Sequence, residues 1–258
     1  MSPDALYDKG FFFNRNHASN LRLAESKNVL LEHRHPWPIY DSPACKTMDS
    51  FLRIISEERL ADELKSLRER RGRGLRALDV AGQGSWLLDY TKNGIGEVVA
   101  VTLRDFRDPE KQKEDRSHHL EVVEGDIFRG KTWLEISKRS SKFDLVVCRP
   151  EGPMHDLSSK STALALLDKM YQMLDVGGIL LTQIPFGLIK ISGTGWIEVL
   201  SAIPGLSVSY DENEAFGLIH TPVLMIRKDG GAPSNLRFLR TSPVNSSDRK
   251  EHIETTVG

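Results

Sequence analysis

The chain is poor in cysteine. It has Cys45 and Cys148 in 258 residues. Two cysteines this far apart build no disulfide framework and match no zinc spacing. Cys148 closes an apolar run and reads as a buried thiol, which fits a reducing, cytoplasmic setting. Long apolar runs are also missing. None approaches the ~18 residues that span a bilayer, so no membrane partner is expected. The N-terminus, MSPDALYDKGFFFNRN, lacks the charged-then-apolar layout of a signal peptide. Charge of either sign is not in excess. The net charge of -1 gives no global pull toward nucleic acid or membrane. No internal repeat is present.

What is there points to an α/β protein. A 39% hydrophobic content over this length buries a sizeable core. The most informative stretch is LRALDVAGQGSW, residues 75–86. A short apolar run ends in Asp79. A turn of small residues follows, and Trp86, Leu87, Leu88 and Tyr90 then begin a helical pattern. Strand, tight turn and helix is the opening unit of a nucleotide-binding α/β domain. Small residues let backbone approach a ligand, and a helix start offers free N–H groups and a positive dipole end.

Further strands alternate with helices along the chain. EVVAVTL (97–103), residues 120–123, FDLVVC (143–148), residues 179–184, 206–210 and 222–227 read as strands. Residues 47–67, 130–139, 156–174 and 196–203 read as helices. Residues 104–119 are highly charged and contain Pro109, which predicts a loop with at most a partial helix. This layout divides the chain into an N-terminal arm (1–46), an α/β domain (47–228) and a polar tail or body-hugging arm (229–258).

Several of these segments resemble the class I S-adenosylmethionine-dependent methyltransferases. DVAGQGS is similar to their motif I, an acidic residue followed by alternating glycines. Asp79 takes the acidic place, and Ala81, Gln83 and Ser85 stand where that family has glycine. Gly82 and Gly84 fall in the intervening places. FDLV resembles motif IV, and DVGG before an apolar strand resembles the family's LKPGG signature. The resemblance implies a doubly wound, mostly parallel seven-stranded sheet of order 3-2-1-4-5-7-6, its last strand antiparallel, with helices on both faces. It also implies S-adenosylmethionine as cofactor, held by Asp79, Ala81, Gly82, Gln83, Gly84, Thr102, Leu103, Asp126 and Ile127.

The chemistry behind those assignments is simple. A carboxylate about 20 residues past the turn accepts bonds from ribose hydroxyls in such folds. Here that place holds Thr102, a weaker acceptor, with Leu103 beside it and Asp105 shortly after. The exocyclic amine of adenine needs an acceptor and its ring an apolar cover, which Asp126 and Ile127 match by position.

Arg149 and Glu151 sit at the mouth of the fourth strand, in RPEGP. They are the candidate catalytic pair, Glu151 as acceptor or base and Arg149 as anion holder. They read equally well as an exposed loop pair. The Asn/Asp-Pro-Pro-aromatic run of nucleic-acid amine methyltransferases is absent there. The lysine that ends the fifth strand of ribose 2′-O-methyltransferases is also absent: Thr182 and Gln183 occupy that neighbourhood, and Lys190 is out of register.

The acceptor is therefore left open between RNA, a small molecule and a protein. The aromatic arm and residues 32–43 are expected to form its side of the site. His33 and His35 lack partners at metal-ligand spacing, so no metal is expected. The basic run from Arg68 to Arg76 reads as a solvated helix end rather than an RNA patch, because the chain as a whole is not basic. A protein that keeps the fold without transfer is the alternative. A nicotinamide oxidoreductase ranks last, because GxGxxG is absent around Gly82 and Gly84.

Overall fold

A computed structural model describes residues 59–102, 105, 107–148, 160–183, 195–211 and 223–237. The elements are α1 (Leu60–Arg71), β1 (Leu75–Val80), a 3-10 helix (Ser85–Asn93), β2 (Ile95–Thr102), α2 (Pro109–Ser117) and β3 (Leu120–Glu124). They continue with α3 (Gly130–Arg139), β4 (Phe143–Cys148), α4 (Lys160–Met173), β5 (Leu174–Gln183), α5 (Gly195–Ser201), β6 (Leu206–Asp211) and β7 (Val223–Lys228).

The strands form one seven-stranded sheet of order β3-β2-β1-β4-β5-β7-β6. Neighbours pair in parallel from β3 to β5, and β7 runs antiparallel to both β5 and β6. This is the order and sense that the resemblance implies, and it puts β1 mid-sheet.

Side chains of the central strands alternate between two apolar layers, as the pleat requires. Leu78, Val80, Val146 and Leu180 face α3, α4 and α5 through Trp133, Leu164, Leu167 and Trp196. Leu75, Ala77, Leu145, Val147 and Leu181 face the other way, onto Leu60, Leu64 and Leu67 of α1 and Trp86 of the 3-10 helix. Helices therefore cover both faces, and β4 is buried along its whole length.

Four local expectations need correction. The first helix runs on to Arg71 and stops where Gly72 turns left-handed (φ 62°), its N–H donating to Arg68 O; residues 47–58 lie outside the described residues. Pro109 starts a helix instead of breaking one, because its missing N–H is harmless at the first helical position and Asp108 caps the Lys111 N–H. The element after the glycine turn is a 3-10 helix. β5 begins at Leu174, with a register slip between its pairings to Phe143 and Leu145. Gly178 belongs inside that strand, since a Cβ would lie 2.8 Å from Asp144 O.

Residues beyond 228 join the body at first. Leu236 is fully buried and its N–H donates to Asp168 Oδ1 at 2.7 Å, while the Tyr171 hydroxyl donates to Pro233 O. Residues 238–258 and 1–58 lie outside the described set. Among the described residues, no helix is long and apolar enough to cross a membrane.

The end of the sheet away from the glycine turn concentrates charge. Asp144 is fully buried and accepts a two-pronged bond from Arg73 (2.7 and 2.9 Å) and the Arg76 N–H at 2.9 Å, and it forms an ion pair with Arg71, whose Nε lies 2.8 Å from Oδ1. The Arg71 and Arg73 guanidiniums therefore hold a core carboxylate, which corrects their reading as part of a solvated helix end.

Close by, the Lys228 ammonium lies 4.4 Å from the centre of the Tyr171 ring and donates to Leu174 O at 3.2 Å. Burial, helped by the Lys142 ammonium and partly offset by Asp175, pushes this amine down to about 8. The folded chain then releases the proton near pH 8, whereas the unfolded chain keeps it to the ordinary lysine value. Folded stability from this group therefore rises with pH across that window. Lys228→Met is expected to be stabilised relative to the parent near neutral pH. In paired urea titrations the advantage should shrink by about pH 10. A constant difference at both pH values would refute this account.

Candidate functional site

The C-terminal ends of β1, β2 and β3 lie side by side, next to the point where the strand order reverses between β1 and β4. Open α/β sheets bind ligands in the crevice at that point.

The turn after β1 is held from beneath by Asp79. This side chain is almost fully buried, and its Oδ2 accepts the Gly84 N–H and the Trp86 indole N–H, both at 3.0 Å. Trp86 is in turn packed edge-on against Tyr90.

The two glycines of the turn serve the inside of the fold. A Cβ at Gly82 would lie 2.2 Å from Asp79 Oδ2. A Cβ at Gly84 would lie 2.7 Å from Leu120 Cδ1 and 2.9 Å from Ala100 Cβ, on backbone that is already left-handed (φ 78°). Their bareness thus makes room for a carboxylate and for core side chains, which corrects the expectation that it exposes main chain to a ligand. The outward places carry side chains. Ala81 is exposed and left-handed (φ 64°), a conformation that a Cβ disfavours. Gln83 reaches across to β2, its Nε2 donating to Thr102 Oγ1 at 3.3 Å.

Ser85, in the remaining place, points the other way. Its hydroxyl donates at 2.8 Å to Asp115 of α2, a fully buried carboxylate. Asp115 also accepts from Arg107 at 2.8 Å, and Arg107 grips Asp105 through Nε (2.9 Å) and a terminal nitrogen (2.7 Å). Burial alone would lower the Arg107 guanidinium, but Asp105 and Asp115 outweigh it and raise it above its ordinary value. The guanidinium therefore stays charged.

At the end of β3, Asp126 is half-buried. Its Oδ1 accepts the Phe128 N–H at 2.9 Å, and its Oδ2 lies 3.6 Å from Arg129 Nε. Ile127 is buried in the core layer beside Trp133, which donates its indole N–H to the Ile127 carbonyl. The β2 and β3 ends are tied by the Gly125 N–H, which donates to Thr102 O at 2.8 Å.

The structure thus gathers Asp79, Ala81, Gly82, Gln83, Gly84 and Thr102 at one crevice edge, with Asp126 and Ile127 in the turn that follows β3. Leu103, Arg149 and Glu151 lie outside the described residues. Sequence reasoning missed Asp115 and Arg107. One signal was available: PEKQKEDRS has no apolar side chain beyond its proline, so whatever face it turns inward must bury a paired charge. Among the described residues no acidic, His or Cys group is arranged to hold a metal.

No family model and no curated protein matches this chain. Solved structures similar to it include an rRNA methylase from Streptococcus thermophilus, 12% identical with a TM-score of 0.45, covering 66% of this chain and 93% of that one. Another is an N-methyltransferase from Bradyrhizobium japonicum in complex with S-adenosyl-L-homocysteine, 14% identical with a TM-score of 0.45, covering 83% and 99%. A third is an O-methyltransferase from Bacillus cereus, also in complex with S-adenosylhomocysteine, 11% identical with a TM-score of 0.46, covering 84% and 92%.

The inward role of the glycines is directly testable. Gly84→Ala meets both a left-handed backbone and two core side chains, and is expected to cost more than about 2 kcal/mol. Ala81→Gly relieves a left-handed alanine and should gain about 0.5–1 kcal/mol after glycine's greater chain entropy. Urea unfolding midpoints measure both, and a tolerated Gly84→Ala would show that the packing described is wrong.

Proposed function

We propose that this chain is an S-adenosylmethionine-dependent methyltransferase, with the cofactor lying across the ends of β1, β2 and β3. The observation that carries this reading is the placement of Asp126. It is a half-buried carboxylate one strand beyond Thr102, in a sheet whose order makes β1 central.

The residues present fit such a group in part. An adenine amine would find its acceptor in Asp126, whose Oδ2 lies 3.6 Å from Arg129 Nε. The ribose edge is neutral. The Gln83 amide and the Thr102 hydroxyl would exchange their mutual 3.3 Å bond for bonds to the diol. Asp79 keeps the turn in shape from the inside and is already occupied by the Gly84 and Trp86 N–H groups.

When bound, S-adenosylmethionine supplies an activated methyl group. The protein's part is to hold that methyl in line with a nucleophile and to exclude water, so positioning outweighs any strong acid or base. Glu151 and Arg149, after β4, are the proposed groups on the acceptor side. The acceptor itself is an RNA, a small molecule or a protein, and an intracellular setting suits the buried Cys148 thiol.

A second reading, binding without transfer, draws on the same ribose edge. A hydroxyl and an amide replace the carboxylate that usually stands there, and Gln183 replaces a lysine base.

Calorimetry with S-adenosylhomocysteine tests the first reading. Saturable heat is expected, and Asp126→Ala should weaken binding by roughly tenfold through loss of the amine's acceptor. No heat at millimolar ligand would remove the proposal. Tight binding without transfer of labelled methyl to RNA, protein or small-molecule pools would favour the second reading.

A further inference from the structure

We propose that Asp115 is a positioning residue: it fixes the glycine turn against the loop after β2 and so sets the width of the nucleoside crevice, without touching what binds there. The proposal rests on the nucleoside reading of that crevice.

The geometry is a chain of contacts across separate segments. Ser85 Oγ, at the start of the 3-10 helix, donates to Asp115 Oδ2 at 2.8 Å. Arg107, in the loop after β2, donates to the same oxygen at 2.8 Å, and Lys111 Nζ lies 3.0 Å from Oδ1. Arg107 is locked to Asp105 by its fork, and its carbonyl accepts from Gln112 Nε2 at 2.9 Å. The Asp105 N–H donates in turn to Glu124 Oε1 at 2.8 Å, at the end of β3. The line runs turn, α2, loop, β3, and it brackets Gln83 and Thr102.

Such a link is stiff for a physical reason. Asp115 is fully buried and Arg107 nearly so. A buried carboxylate that loses a hydrogen-bond donor cannot replace it with water, so the segments holding it cannot drift apart cheaply. Burial pushes the Asp115 carboxyl up. The hydrogen bonds from Arg107, Ser85 and Lys111 outweigh that and hold it below the usual carboxylate range, so it stays ionised at neutral pH. Ser85 is the specific device. A glycine in its place could not donate to Asp115, whereas the hydroxyl joins the turn to a charged centre that no ligand need contact.

Asp144, at the other end of the sheet, supplies the control. It too is fully buried and held by arginines, but it lies away from the turn. S-adenosylhomocysteine affinity is measured by calorimetry for the full chain and for Ser85→Ala, Asp115→Asn, their double variant and Asp144→Asn, at a temperature where each is folded by circular dichroism. Ser85→Ala and Asp115→Asn should each weaken binding roughly tenfold, with the double variant no worse than either, because both break one link. Asp144→Asn should lower the thermal midpoint and leave affinity within about twofold. The indole N–H resonance of Trp86, adjacent to Ser85, should shift in Ser85→Ala and stay put in Asp144→Asn.

Should Asp115→Asn fail to fold, Ser85→Ala carries the test, since it deletes only a hydroxyl. Unchanged affinity in Ser85→Ala, additive losses in the double variant, or an equal loss in Asp144→Asn would each overturn the positioning role while the parent's binding stands. A parent that binds no S-adenosylhomocysteine would overturn the nucleoside reading itself, and this inference with it.

Discussion

The site depends on one carboxylate that faces inward. Asp79 ends the central strand, turns back beneath the loop, and holds both the Gly84 N–H and the Trp86 indole. A buried carboxylate with fixed donors dictates the path of the chain around it, because any path that strands the charge costs several kcal/mol. That requirement explains Gly82, whose missing side chain leaves room for the carboxylate, and Trp86, whose ring is drawn under the turn and roofs the α1 face of the sheet. The left-handed Ala81 follows from the same demand. The chain accepts an unfavourable backbone there to complete a turn that Asp79 shapes.

Beyond that turn, buried charge is distributed by position along the strands. One end of the sheet has Asp144 under Arg71 and Arg73. The other has Asp115 under Arg107 and Lys111, and Glu63 on α1 is closed by Arg227 of β7. The Asp144 and Glu63 centres tie together segments distant in sequence that no apolar contact would register so narrowly. Apolar layers tolerate small slides, whereas a charge-assisted bond between forked groups does not. Between these centres, the crevice edge formed by Gln83 and Thr102 carries no charge on those side chains and has a longer, weaker bond.

Much of the architecture was legible in the amino-acid order because it follows from periodicity. FDLVVC is apolar throughout, and β4 is buried on both faces. The alternation of such runs with helical patterns gave the succession of strands and helices, and the strand order found was implied by the resemblance. The turn after β1 was legible as a turn, but its inside and outside were not. Whether a glycine leaves space for a ligand or for a neighbouring side chain depends on Asp79, Leu120 and Ala100, which converge only in the fold. α2 was misread because Pro109 looks like a breaker until Asp108 is recognised as a cap. The pairing of Ser85 with Asp115 was out of reach, since nothing local distinguishes one carboxylate of PEKQKEDRS from the next.

These features together constrain how any ligand meets this crevice. Moving Asp79 would strand a buried charge, so the turn itself must stay as it is. The exchangeable contact at the rim is the bond between Gln83 and Thr102, whose net worth is about 1 kcal/mol, and its two groups can be re-paired with hydroxyls at little cost. On the proposed reading, recognition along this edge falls to Gln83 and Thr102, two neutral side chains on a preformed frame. If Asp79 and Asp115 hold the frame as proposed and Gln83 adjusts, the crevice would suit a ligand that spans β1 to β3 and is polar at its middle. The Gly84 N–H already belongs to Asp79, so the turn does not offer that donor to a small anion.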